Sequence, residues 1–290
     1  MKRGFLIFNP SSGTDTKSHQ QVSDVVREFE RYGIQMTPSP TEPDLNVVGQ
    51  VRQIIQDSPD LIVSWGGDGT INEVVNGMFP SKVPLGLLSG GTANLLVKEM
   101  GIPTRIHSAI RVISEGKTRS ITVGQANQRF FVLMAGIGLD SEVVRNVDWN
   151  VKRKWGKLAF GFAALSTISK YKFPQLALRI DDQERQCVFA VICNAKEYAA
   201  HFVLTPQANI SNDYFYACLF MEPGFSNLLK YVFHAAQGKL NKLQPVEILQ
   251  CSKVEATGPG EIPVQADGEL IGHLPMKFVI HPRSLNIFCP

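Results

Sequence analysis

Two rhythms of apolar and polar residues run along the chain, and the first governs its opening third. GFLIF, at Gly4 to Phe8, is a short apolar run that stops at Asn9-Pro10 and predicts a buried first strand. Residues from about Gln20 to Tyr32 place apolar side chains at helical spacing, IQMTP is strand-like, and VVGQVRQIIQD is helical again. LIVSW follows, short, β-branched and bounded by Pro59-Asp60 and by glycines, which predicts a fully buried strand. TINEVVNGMF resumes the helical pattern, and PLGLLSGGTANLLVKEMGI repeats the unit of strand, glycine turn and helix. That succession predicts a parallel sheet with helices on its faces.

From about Ser120 the rhythm changes to strands separated by turn signals: RSITVGQAN, QRFFVLMAG, QLALRIDD, RQCVFAVIC and YFYACLFM. Two helical inserts interrupt them, one from about Val151 to Tyr171 and one from about Ser226 to Ala236. KVEATG, IPVQADGELIG, PMKFVIH and LNIFC return to strands. The predicted organisation is an α/β domain over 1–120 and a mainly antiparallel β-rich domain over 121–290, without internal repeats or low-complexity tracts.

Composition narrows the function classes. A chain of 290 residues, 44% hydrophobic, buries a substantial core, which excludes a disordered or fibrous protein. A net charge of +3 lacks the basic density of a dedicated nucleic-acid binder. The basic start MKR with its apolar run is too short for a secretory core, and no uninterrupted apolar segment is long enough to span a bilayer. Five cysteines without paired spacing predict reduced, buried thiols in a cytoplasmic protein, and the six histidines form no metal-ligand pair.

The candidate chemistry lies in the glycine turns. Gly66, Gly67 and Gly69 follow a buried strand, and a parallel sheet presents its ligand crevice at the carboxyl ends of its strands. Glycine lets backbone amides approach phosphate oxygens, and the helix beginning near Thr70 adds its positive end. Asp68 among them is repulsive to phosphate unless a cation, such as magnesium, stands between. A tight turn in which Asp68 and Thr70 cap the next helix is the structural alternative. Ser89-Gly90-Gly91-Thr92-Ala93-Asn94 repeats the feature. Neither turn is a P-loop or completes GxGxxG, which disfavours a Walker-type ATPase and a dehydrogenase. AGIGLD, at Ala135 to Asp140, is explained by a strand-to-helix turn.

FNPSSG at Phe8 to Gly13, GGDGTINEVVNG at Gly66 to Gly77, GGTAN at Gly90 to Asn94 and ADGE at Ala266 to Glu269 resemble, in order and spacing, the diacylglycerol kinase catalytic-domain family, which includes bacterial lipid kinases and sphingosine kinases. GGDGT alone is shared with NAD kinases and phosphofructokinase-like loops. The resemblance implies a Rossmann-like or phosphofructokinase-like α/β domain that binds nucleotide, then a β-rich domain contributing to the lipid-acceptor site. It implies ATP and Mg2+, a lipid hydroxyl as acceptor and a place in phospholipid biosynthesis. By position it implies that Asn9, Thr41, Gly66, Gly67, Asp68, Gly69, Thr70, Ile71, Asn72 and Thr92 contact ATP. Asp68 would help hold the magnesium nucleotide, and Glu269 would take the acceptor proton.

Two positions depart from the family pattern. Leu95 stands where many bacterial relatives carry the aspartate of GTAND, which sphingosine kinases also lack. A magnesium segment ending Asp-Gly-Leu in some relatives aligns with Asn212-Asp213-Tyr214, so a metal site there would rest on Asn209, Asn212, Asp213 and Tyr214. VKRKWGKLAFGFAALSTISKYKF, Val151 to Phe173, is basic at both ends and apolar between, which suits either a core helix or attachment to anionic lipid through Lys152, Arg153 and Lys154. Expected partners are a lipid substrate and a peripheral membrane surface, without nucleic acid; a homodimer is left open. The reading is an ATP-dependent lipid kinase, diacylglycerol first. A long-chain-base kinase, an NAD kinase and a non-catalytic nucleotide- or lipid-binding regulator are the alternatives.

Overall fold

The computed structural model describes residues 1–10, 19–41, 46–146, 171–198 and 202–290. These form two compact units, Met1–Val123 with His281–Pro290, and Gly124–Ile280.

The first unit alternates β1 (Lys2–Phe8), α1 (His19–Arg31), β2 (Ile34–Pro40), α2 (Val47–Gln56), β3 (Leu61–Gly66), α3 (Asp68–Met78), β4 (Leu85–Ser89), α4 (Leu95–Glu99) and α5 (Ile106–Glu115), and β5 (Thr118–Ala126) leads out of it. The strands lie in the order β2-β1-β3-β4, all parallel, so each crossover carries a helix. β3 is buried along its whole length, as its unbroken apolar run predicts for a strand covered on both faces. The amphipathic spacing sets the helices: α1 buries Val22, Val25 and Phe29, and α2 buries Val47, Val51 and Ile54. Asn46 caps α2 by accepting the Gly49 N–H at 3.0 Å. Residues 281–290, which the sequence pattern grouped with the β-rich domain, return to this unit, where Ile287 pairs in parallel with Leu85 and the Cys289 N–H donates to the Lys117 carbonyl.

The second unit contains β6 (Arg129–Phe131), β7 (Met134–Ile137), α6 (Leu139–Asn146), β8 (Leu176–Ile180), β9 (Gln183–Cys187), β10 (Phe189–Cys193), β11 (Glu197–Tyr198), β12 (Phe202–Val203) and β13 (Phe215–Phe220). It continues with α7 (Phe225–Ala236), β14 (Val246–Cys251), β15 (Lys253–Thr257), β16 (Pro263–Ala266), β17 (Glu269–His273) and the start of β18 (Met276–Phe288). One antiparallel sheet runs β14-β13-β10-β7-β16-β17. A second pairs the first half of β18 with β15, then β8 and β9. Alternate residues of both, such as Ala135, Ile137, Ala190 and Ile192 with Leu178, Val254 and Phe278, share one core, which makes this unit a β-sandwich. The intervening residues of β7, β10 and β16 face the other side, where α6 packs on them.

The fold class is therefore the one expected, a parallel α/β unit followed by an antiparallel β-rich unit. Several expected strands differ in extent, and IPVQADGELIG folds back as β16 and β17. QRFFVLMAG divides into β6 and β7 around Val132-Leu133, and RQCVFAVIC into β9 and β10 at Val188, whose N–H bonds the Phe220 carbonyl. PMKFVIH and LNIFC, expected as two strands, are the single β18. The five cysteines are free and buried, and burial pushes the thiols of Cys187, Cys193 and Cys251 up to about 12. Among the described residues no helix is long and apolar enough to cross a membrane. The basic and apolar segment expected at 151–173 lies outside the described residues up to 170, as do Ser11 to Gly13.

Candidate active site

Parallel pairing brings the ends of β1, β2, β3 and β4 to one edge of the first unit. Phe8 is level with Pro40 and with Trp65, and Gly66 with Ser89, so the next residues, Asn9, Thr41, Gly67 and Gly90, leave the sheet side by side. The Thr41 N–H donates to the Phe8 carbonyl at 2.8 Å and Thr41 is buried, while Asn9 is half-buried and Thr92 is exposed. A cavity of about 260 Å3, lined by Lys2, Asp60, Pro84, Gly116 and Asn286, lies at the opposite, amino edge of the strands and is not part of this site.

The two glycine turns are pressed against each other. A Cβ on Gly91 would stand 2.5 Å from Gly67 Cα, and one on Gly90 would stand 3.0 Å from Gly66 Cα. The Gly90 N–H donates to the Gly66 carbonyl at 2.9 Å. Backbone lies on backbone, so any side chain would wedge the turns apart. A Cβ on Gly66 would also meet Thr70 at 2.5 Å. Asn94, in the left-handed region, closes the second turn by accepting the Gly91 N–H at 2.9 Å and donating to the Gly91 carbonyl at 2.7 Å.

Asp68 does not cap its own helix. Gly67 holds the N-cap position of α3 without a side-chain bond, and the Asp68 carboxylate instead accepts the Leu95 N–H at 2.7 Å, at the start of α4. The carboxylate thereby ties one glycine turn to the other. Burial pushes the Asp68 carboxyl above its ordinary range, and the Leu95, Leu96 and Asn94 amides and the Lys98 ammonium partly offset this. A carboxylate whose charge is penalised by burial is relieved by a cation, and one carboxylate with phosphate oxygens and waters is a donor set magnesium accepts. Leu95 supplies its backbone N–H here, a role that does not depend on its side chain. Thr70, Ile71 and Asn72 are buried, and the Ile71 N–H is bonded to the Gly67 carbonyl, so these three support the turn from beneath.

In the second unit, Ala266-Asp267-Gly268-Glu269 is a two-residue hairpin with φ of 48° at Asp267 and 87° at Gly268, the left-handed pair that Asp-Gly favours. The Asp267 carboxylate gathers three successive amides: the Val132 N–H at 2.8 Å, the Leu133 N–H at 2.9 Å and the Met134 N–H at 3.0 Å. This capture breaks the predicted strand between β6 and β7. The Gly268 N–H donates to Gln265 Oε1 at 2.7 Å, and Gln265 Nε2 donates to Asp140 Oδ2 at 2.6 Å. Asp140 also accepts from the Tyr198 hydroxyl; burial pushes its carboxyl up, and the two donors pull it back. The turn is therefore held on both sides before Glu269 begins.

Glu269 projects from this turn and meets Arg129 at 2.7 Å, with both side chains partly exposed. The motifs did not disclose Arg129, Gln265 or the restraint that Asp267 places on this hairpin. Arg129 stands 140 positions from its partner and carries no local signal.

The four residues of the altered metal segment lie in one turn before β13. The Asn209 side chain accepts the Ser211 N–H and its carbonyl accepts the Asn212 N–H, each at 2.9 Å. Among the described residues no group of three or more His, Cys, Asp or Glu side chains gathers in a way that holds a metal ion.

Residues 3–126 match the family model described as diacylglycerol kinase catalytic domain, and residues 134–289 match the model described as YegS C-terminal NAD kinase beta sandwich-like domain. The proteins named diacylglycerol kinase from Staphylococcus saprophyticus and Bacillus subtilis are each 25% identical to this chain, cover 100% of it, and are themselves covered over 96% and 97% of their length. A crystal structure of a diacylglycerol kinase from Bacillus anthracis shares the fold, with a TM-score of 0.82 at 21% identity over 100% of this chain and 97% of that one. The two family models together account for both halves of the chain, and with the relatives named diacylglycerol kinase along its whole length the protein belongs to the diacylglycerol kinase catalytic-domain family of lipid kinases.

Proposed function

We propose that this lipid kinase transfers the γ-phosphate of ATP to the free hydroxyl of diacylglycerol, working at a membrane surface. The observation that carries the reading is the hairpin that fixes Glu269. A general base must be held where it can reach an acceptor oxygen, and the Asp267 and Gln265 bonds do this for the turn while Arg129 orients the carboxylate. Glu269 takes the hydroxyl proton as the acceptor oxygen bonds to the γ-phosphorus and the bond to the β-phosphate oxygen breaks, releasing ADP. The glycine turns offer backbone amides to the phosphates, with Asn9, Thr41 and Thr92 around them. Asp68 would hold magnesium, which when bound neutralises charge on the phosphates. Asn209, Asn212, Asp213 and Tyr214 have no part in this scheme.

Purified protein with labelled ATP, magnesium and a total lipid extract should yield labelled phosphatidic acid. A labelled long-chain base would move the acceptor to the sphingosine type. Labelled NADP on addition of NAD would favour the nucleotide kinase suggested by the name of the second family model. No labelled product alongside tight ATP binding would make the chain a regulator. Glu269→Gln should lower the rate about 100 to 10,000-fold, the usual weight of a general base. A near-normal rate would remove Glu269 from the mechanism.

A further inference from the structure

Helix α7 carries two apolar faces. Leu228, Tyr231 and Ala235 are buried on the six-stranded sheet, where the Tyr231 ring lies edge-on to Phe220 at 4.9 Å and its hydroxyl donates to the Glu222 carbonyl at 3.1 Å. Phe225, Leu229, Val232 and Phe233 point elsewhere and are 47%, 54%, 46% and 62% exposed. At 3.6 residues per turn these four side chains fall in an arc of about 100°. Exposed apolar residues scattered singly need no explanation, but a contiguous stripe with two phenylalanines does.

Along the chain from the start of α7 to Pro245 the charge has one sign. Lys230, Lys239 and Lys242 are exposed, and no Asp or Glu occurs from Gly224 to Pro245. Lys230 and Lys239 donate to the neutral side chains of Asn227 and Gln237, each at 3.2 Å. We propose that this face of α7 is the surface by which the enzyme lies on an anionic phospholipid bilayer. Phenylalanines and aliphatic side chains would enter the boundary between headgroups and acyl chains, and the lysines would face the anionic headgroups. A second copy fits less well, because a two-fold contact through α7 would bring the same lysines against one another. The proposal rests on the lipid-kinase reading for its purpose, since an enzyme acting on a two-chain lipid must meet the bilayer.

The test uses vesicles of phosphatidylcholine, with and without phosphatidylglycerol, containing neither nucleotide nor substrate. The full chain should sediment with the phosphatidylglycerol vesicles and weakly with the others. Phe225→Ser combined with Phe233→Ser should lower that binding roughly tenfold or more, and Lys230→Glu with Lys239→Glu should abolish the preference for anionic lipid. Activity on a short-chain substrate dispersed as monomers should be unchanged in both, which also shows that the variants fold. A second measurement needs no loss of apolar surface: Phe233→Cys carries an exposed thiol beside five buried ones, so a polarity-sensitive dye placed there should shift to the blue on anionic vesicles. Undiminished binding by the serine variant, or an unshifted dye, overturns the proposal. So does a solution dimer of the natural chain that the serine variant dissolves, which would make the face a contact between copies. Vesicle binding that follows this pattern in a protein that phosphorylates no lipid would sink the kinase reading and leave the surface standing.

Discussion

Replacing Asp267 with asparagine isolates the carboxylate from the backbone it sits on. Asp267 has a φ of 48°, a left-handed value that asparagine adopts as readily as aspartate, so the turn itself is not strained by the change. The side chain is affected differently. One carboxylate oxygen accepts from Leu133 and Met134 at 2.9 and 3.0 Å, and the other from Val132 at 2.8 Å. An asparagine that keeps its oxygen toward Leu133 and Met134 must point its NH2 at the Val132 N–H. Hydrogen bonds to a charged acceptor contribute about 1.5–3 kcal/mol, and a buried donor left unmatched costs about 1–3 kcal/mol. One such bond is lost, one donor is stranded and two bonds lose the charge, which together predict a destabilisation of about 2–4 kcal/mol. Asp267→Ala should cost at least about 2 kcal/mol more, because it also strands the Leu133 and Met134 amides and is strained at a left-handed φ. Urea unfolding measures both, with comparable slopes required for the comparison. Steady-state rates on a dispersed lipid should fall as well, since the same three amides hold the turn that carries Glu269. An asparagine variant within about 0.5 kcal/mol of the natural chain and fully active would refute the argument that this carboxylate organises the hairpin.

Three further outcomes are expected. Asp68→Asn retains an oxygen for the Leu95 N–H and should leave stability nearly unchanged while abolishing magnesium-dependent turnover, whereas Asp68→Ala should also lower stability by about 1 kcal/mol through the lost cap; a stable, active asparagine variant would confine Asp68 to the structural tie. Gly91→Ala places a Cβ 2.5 Å from Gly67 Cα and should cost about 1–3 kcal/mol and weaken ATP binding measured by calorimetry, and unchanged affinity would show that the packed turns do not shape the nucleotide site. Lys253, then Arg179, holds the Glu255 carboxyl down from 4.5 to about 2. Its contribution is thus present above pH 4.5 and lost as pH falls toward 2, so the small advantage of the natural chain over Glu255→Gln should vanish across that interval, and a pH-independent difference would contradict it.

The alternation in the first unit was legible because each segment is long enough for its period to show. LIVSW and TINEVVNGMF differ in rhythm over a few residues, and a parallel sheet is the only arrangement that serves several such pairs in succession. The glycine turns were legible for a different reason, because close backbone approach restricts which residues fit. What was hidden depends on partners distant in sequence. Nothing local in QRFFVLMAG reports that Asp267, 133 to 135 positions away, draws off three of its amides and splits the strand. Arg129 is likewise an ordinary basic residue until the fold sets it beside Glu269. The structural alternative gave Asp68 the helix that follows it to cap, whereas the amide it receives belongs to the next glycine turn. Pro282-Arg283-Ser284 lies between the expected strands PMKFVIH and LNIFC, yet β18 passes through it with a left-handed Arg283 whose N–H is taken by Thr122 Oγ1 at 3.2 Å.

The long strand β18 has a consequence for biosynthesis. Its opening residues complete the sandwich, and its closing ones, with Ile287 beside Leu85, complete the parallel unit whose other strands were made first. As the chain leaves the ribosome, the first unit must wait, with the flank of β4 unpaired, until some 160 later residues have emerged. During that interval β4 is an open edge, the kind of surface that invites pairing with another nascent chain. Deleting the last ten residues would make the open edge permanent, so such a truncation is expected to reach the insoluble fraction during expression, even though it removes none of the residues assigned to the chemistry.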